Sequence, residues 1–177
     1  AQPPGRQLVI AGIPAGSGDR SLVLVNPGSQ FATVTPRLLG ENGPEPIDGL
    51  DAIAVPAGSV IQVDLARVLS GRAASLDLRS DAPVTGGVQA AWGGATRDVT
   101  WLSAVPPVGG SDPLGGAAAV LSGPGLTTTV TIAAPGESVE GELSVTTSTS
   151  AELETLTGRG PAAAGSRDLR VALLNSP

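Results

Sequence analysis

The stretch LVIAGIPAGSGDRSLVLVNPGSQFATVT, residues 8–35, sets the reading of this chain, and TWLSAVPPVGGSDPLGGAAAVLSGPGLTTTVT, residues 100–131, repeats its plan. In each, a short apolar run ends at proline and a glycine-rich loop. A second apolar run then breaks at Pro-Gly, and a Thr-Val-Thr run follows. Short apolar runs bounded by Pro, Gly, Asn and Asp are the mark of β-strands. The copies lie 93 residues apart at the first run (Leu8 to Trp101) and 96 at the third (Val34 to Val130). Duplication at that spacing predicts an all-β protein of two tandem immunoglobulin-like β-sandwich modules.

Working outward, the first module is expected over 1–104, with strands near 7–11, 21–26, 31–39, 51–55, 59–65, 74–79, 84–91 and 98–103. Val60, Gln62 and Asp64 alternate with Ile61, Val63 and Leu65, the pattern of a strand with one solvated face. The segment LARVLSG, 65–71, predicts one helical turn stopped by Gly71. Residues 105–117, VPPVGGSDPLGGA, read as a linker stiffened by prolines and loosened by two Gly-Gly pairs. A second, shorter sandwich is expected over 118–177, with strands near 117–122, 127–133, 138–146, 150–156 and 168–174. The last of these either closes that module or opens a third copy, and closure is the favoured reading because a dangling apolar strand invites aggregation.

Composition fits such a core. The 177 residues include no Met, Tyr or Cys, one Phe and two Trp. Val, Leu, Ile and Ala must therefore fill the space between sheets about 10 Å apart. The formal net charge is −6, and all ten basic residues are scattered arginines. A phosphate backbone is bound by clustered cations, so nucleic acid is not an expected partner. The acids Glu137, Glu140, Glu142, Glu152 and Glu154 form a cation-free span, read as a solvated face. No apolar run approaches the roughly 18 residues of a spanning helix. Membrane contact is expected only through an anchor that this chain does not show.

Reactive chemistry is scarce in the sequence. Without His, Cys or Lys there is no Ser-His-Asp triad, Cys-His pair, Schiff base or P-loop, and no zinc site of the usual kind. Carboxylates remain. Paired acids hydrolyse glycosides when held roughly 5 to 9.5 Å apart in a cleft, and the candidate pairs are Asp48 with Asp51, Asp77 with Asp81, and Glu140 with Glu142. Calcium ligation is conceivable at Asp48-Gly49-Leu50-Asp51 or at Ser111-Asp112, though neither has the ligand density of a recognised loop. The expectation is therefore no catalytic residue, no metal and no cofactor. The two tryptophans, Trp92 and Trp101, are candidate glycan contacts because an indole stacks on a sugar ring. An aromatic-poor protein more often buries its few rings in the core or between modules, and Trp92, beside Gly93-Gly94, is the one expected to be the more exposed.

The phrases LVLVNPGSQFATVTPRLLGENGP (22–44), VPAGSVIQVDLARVL (55–69) and LDLRSDAPVTGGVQA (76–90) resemble a family of secreted or membrane-anchored actinobacterial proteins of unknown function built from Ig-like β modules. The shared motifs, Asn26-Pro27-Gly28, Pro56-Ala57-Gly58 and Ala82-Pro83-Val84, are turn and strand residues, so the resemblance implies a fold and an envelope location but no reaction. The expected function is a non-enzymatic extracellular or cell-envelope protein acting as a spacer or protein-interaction module. Alternatives are a wall-glycan or polysaccharide binder using exposed Trp, and a strand-exchanging assembly subunit with 168–174 as donor. Expected partners are an envelope protein or a wall glycan.

Overall fold

The computed structural model describes residues 2–40, 43–93, 97–107, 128–135 and 165–171. They are all-β apart from one helical turn. The organising element is β7 (Ala74–Trp92), nineteen residues long. Its first half pairs antiparallel with β1 (Gly5–Ile13) and β3 (Ala32–Gly40). Its second half pairs antiparallel with β2 (Asp19–Val25) and β8 (Asp98–Ser103). Two short strands, β4 (Gly43–Pro46) and β5 (Ile53–Val55), extend β3, and β6 (Val60–Asp64) extends β2. The result is one antiparallel sheet curled on itself into two layers. Sheet A is β1–β7–β3 with β4 and β5; sheet B is β6–β2–β7–β8.

Two expected strands, 74–79 and 84–91, are thus one. The Ala82-Pro83-Val84 motif lies where β7 leaves one ladder for the other. Its β3 partners end at Ser80, its β2 partners begin at Thr85, and the β1 register jumps from Arg79 to Val84. Proline has no N–H to give a ladder, and at this crossing none is asked of it. Strand β4 was not expected from the sequence.

The core lies between the layers. Leu8, Ile10 and Ile13 of β1, Leu22 and Leu24 of β2, Val34 of β3, and Leu76, Leu78, Val84 and Val88 of β7 are all buried. Burying each contributes about 1.5–3 kcal/mol, without a disulfide. The expected helical turn is present as α1 (Ala66–Leu69). It ends with Ser70 in the left-handed region, one residue before the expected Gly71. Asn26 ties the layers at one end: its Nδ2 donates to Val55 O at 2.9 Å and to Gln30 O at 2.7 Å, and its Oδ1 accepts from Gly28 N at 3.0 Å. The Asn-Pro-Gly motif is therefore a lock between β2 and β5.

The strand that opens the second copy of the repeated phrase lies, as expected, with the first 104 residues. It is β8, which completes sheet B. At Ala104 and Val105 the chain steps across to sheet A, where Val105 and Val9 exchange hydrogen bonds of 2.7 and 2.9 Å. Val105, expected to open the linker, belongs to the sandwich. Beyond it, β9 (Thr128–Ala134) and β10 (Gly165–Val171) form a two-stranded antiparallel ladder paired over seven residues. The described residues show one curled sheet and this ladder, and most of the expected second module, 118–177, lies outside them. The strands expected at 117–122, 138–146 and 150–156 lie outside the described residues.

Candidate functional site

The two layers present very different outer faces. On sheet A, the outward residues Val9, Ser75, Asp77 and Leu39 are exposed by 5, 0, 0 and 4 % respectively, while Arg79, outward one step along β7 beside Gln7 and Thr35, keeps 46 % of its side chain in solvent. The β9–β10 ladder approaches this sheet. Strand β9 runs beside β1 and β10 approaches β3 and β4, and a Cβ on Gly12 would come 3.2 Å from the Thr131 hydroxyl. Asp77 is held there by Arg79 Nε at 2.9 Å and Gln7 Nε2 at 3.4 Å.

Sheet B is open. Its outward positions follow from register: Asp19, Ala91 and Val99 form one row, Asp64, Ser21, Gln89 and Trp101 the next, then Gln62, Val23, Gly87 and Ser103. From β6 to β8 this face spans three strand spacings, about 14 Å. Trp101 is 50 % exposed and Val99 56 %. The indole lies over Gly87, where a Cβ would fall 2.7 Å from Trp101 Cζ2 and 2.8 Å from Cε2. Diagonal neighbours on one sheet face are within reach of an aromatic ring, and glycine lets the ring lie on the backbone. Half of the residue's surface meets solvent.

Beside this ring is a shallow depression of about 220 Å³ bounded by Asp19, Ser21, Gln62, Asp64, Gln89 and Arg97, with Ala66 and Ala91 among its walls. Arg97 pairs with Asp19. Asp64 Oδ1 accepts the Ala66 N–H at 2.8 Å, fixing the start of α1. The charged groups on the depression sum to −1, one arginine against two aspartates. Two amides, a hydroxyl, two carboxylates and a guanidinium offer donors and acceptors in every direction along the floor.

The tryptophans do not come together. Trp92 has the inward parity of Val88 and Ala90, lies at the end of β7, and is 41 % exposed. Neither ring is a core plug, and Trp101 is the more exposed, against the sequence expectation. Of the carboxylate pairs, Asp77 and Asp81 sit four residues apart on β7, roughly 13 Å along a strand, and do not face one another across a cleft. Asp77 is buried on the covered face. Asp81 is exposed and accepts the Thr33 N–H at 2.7 Å; that bond holds its carboxyl below the usual aspartate range. Asp48 and Asp51 are exposed loop residues, and no cluster of three or more metal-ligating side chains occurs among the described residues. Glu140, Glu142, Ser111 and Asp112 lie outside the described residues. Of the donor strand expected at 168–174, the described residues 168–171 pair with β9.

Sequence reasoning reached part of this face. The alternation over Val60–Leu65 marks Gln62 and Asp64 as outward. Gln89, Asp19 and Arg97 escaped notice because their convergence depends on which strands pair. No helix among the described residues is long and apolar enough to cross a membrane.

Among solved structures, the chain is similar to Thermotoga maritima 1070, at 18 % identity and a TM-score of 0.45, over 56 % of this chain and 93 % of that one. It is also similar to the Anabaena sensory rhodopsin transducer, at 16 % identity and a TM-score of 0.38, over 56 % of this chain and 99 % of that one. No curated protein matches the chain in sequence. The sequence pattern of a family of unknown function, DUF5719, matches residues 1–164, and the chain belongs to that family.

Proposed function

We propose that the protein is a non-enzymatic module of the cell envelope that binds a neutral glycan on the outer face of sheet B. The observation that carries this reading is Trp101, half exposed and close against Gly87, paired in register with Gln89, which lines a depression of amide, hydroxyl and carboxylate groups. A sugar ring offers an apolar C–H face and a rim of hydroxyls. The indole matches the first, and Gln62, Gln89, Ser21 and Asp64 match the second. The slight negative charge of the face favours a neutral sugar over an acidic one. Hydrolysis has little support, because a general acid needs a carboxyl shielded from water, and the Asp19 side chain is 76 % exposed and paired to Arg97.

Calorimetric titration with soluble neutral oligosaccharides from bacterial wall and capsule tests this. Saturable binding is expected. It weakens at least ~10-fold, about 1.4 kcal/mol, in Trp101→Ala and is unchanged in Trp92→Ala. Absence of binding at millimolar sugar, or equal binding by Trp101→Ala, overturns the proposal. Envelope placement is checked by cell fractionation, where recovery in the cytosol alone would contradict it.

A further inference from the structure

The inner side of sheet B carries a charge that the fold does not neutralise. Arg20 shares the inward side of β2 with Leu22 and Leu24 and is 2 % exposed. Its Nε donates to Pro14 O at 3.0 Å and its Nη1 to Gly18 O at 3.3 Å. Both acceptors are neutral carbonyls of the β1–β2 loop. Among the described residues the ion pairs are Arg79 with Asp77 and Arg97 with Asp19, so Arg20 has no acidic partner there. Carbonyls satisfy hydrogen-bond geometry, yet they leave a whole positive charge in a poorly solvated wall. In such a place an anion is attracted far more strongly than in bulk water.

That wall borders an open surface pocket of about 280 Å³ lined by Gly16, Ser17, Gly18, Ala66, Ser70 and Gly71 together with Arg20, with no acidic side chain among them. Nη2 makes no hydrogen bond to a described residue and faces Gly16, where a Cβ would come within 3.4 Å of it. Gly16 has φ +137°, a conformation that favours glycine. Its N–H donates to Gly71 O at 2.9 Å, which fixes the loop around the opening.

We propose that this pocket binds a carboxylate group. With Nε and one Nη1 hydrogen engaged, the end of the guanidinium still presents one hydrogen from each Nη side by side. That edge matches the two oxygens of a carboxylate. A single carboxylate also balances a single guanidinium, whereas a phosphate brings more charge than Arg20 offsets. The Ser17 hydroxyl at the rim is a second donor. This site is separate from the open face of sheet B, sharing only Ala66 with it, and it stands whether or not that face binds sugar.

The test follows the side-chain Nε–H signals of the ¹⁵N-labelled protein by NMR during titration with sodium acetate at ionic strength held constant with sodium chloride. The Arg20 signal is identified as the one missing from folded Arg20→Lys. A saturable shift of that signal with acetate is expected, with a weaker response to inorganic phosphate. In Ser17→Asp, an exposed position that places the chain's own carboxylate at the rim, the shift is expected to be lost. Acetate acting no differently from chloride overturns the proposal, as does a saturable shift unaltered in Ser17→Asp. Phosphate saturating at lower concentration than acetate overturns the carboxylate assignment.

Discussion

Sheets A and B share β7, yet one outer face is shut and the other open. On sheet A, Val9 is 5 % exposed; on sheet B, Val99, also an outward valine on a strand paired to β7, is 56 % exposed. The difference is written in the strands. Leu8-Val9-Ile10 is a continuous apolar run, as a strand covered on both sides requires. Val60–Asp64 alternates, as a strand with one wet face requires. The proposed binding role rests on the face that no described residue covers.

The largest test of that contrast is a paired charge substitution. Val9→Asp puts an unpaired carboxylate at a buried position of sheet A and is expected to cost about 3 kcal/mol or more. Val99→Asp is expected to lie within about 0.5 kcal/mol of the parent protein. Urea denaturation of both variants checks this, and equal effects would erase the distinction. Next is the tie between layers. Asn26→Ala strips partners from Val55 O, Gln30 O and the Gly28 N–H, and is expected to cost about 2–3 kcal/mol, measured in the same way.

A smaller stability effect accompanies a large binding effect at Trp101. Because half of the ring is in solvent, Trp101→Ala is expected to destabilise by about 1 kcal/mol while removing sugar binding. Gly87→Ala should mimic the binding loss with the indole still present, at a further cost in stability, since the added methyl meets the Leu102 carbonyl of β8 as well as the ring. The smallest effect concerns Asp81, at the bend where β7 passes between sheets. The Thr33 N–H depresses its folded pKa. Its contribution is therefore fully present above the unfolded value and is lost as pH falls through the folded one. Asp81→Asn should be less stable than the parent at neutral pH, with the difference closing in acid; a difference that is constant with pH would contradict this.

Much of the sandwich was legible from local pattern: most strand positions, the turn at Ala66–Leu69, the Asn-Pro-Gly and Ala-Pro-Val breaks. What escaped depended on long-range pairing. The strand expected at 98–103 as the last of the first module is β8, but that it pairs with Val88, Gln89 and Ala90 of β7 could not be read from local pattern. Composition alone reads Trp101 as a ring packed in the core or between modules, with a glycan contact as the other option, and only its parity with Val99 and Ser103 on an edge strand turns it outward. Arg20 was visible in principle: in Arg-Ser-Leu-Val-Leu it occupies the same alternate set as the core leucines, a charged residue in an inward position.

The central claim is that the face of sheet A is covered and that of sheet B open. The absence of cysteine from the chain makes it directly measurable, because single-cysteine variants carry one thiol each. Gln89→Cys is expected to react with a soluble thiol reagent as fast as a free peptide, and Val9→Cys at least ~100-fold more slowly, limited by local opening. Equal rates at the two positions would contradict the account.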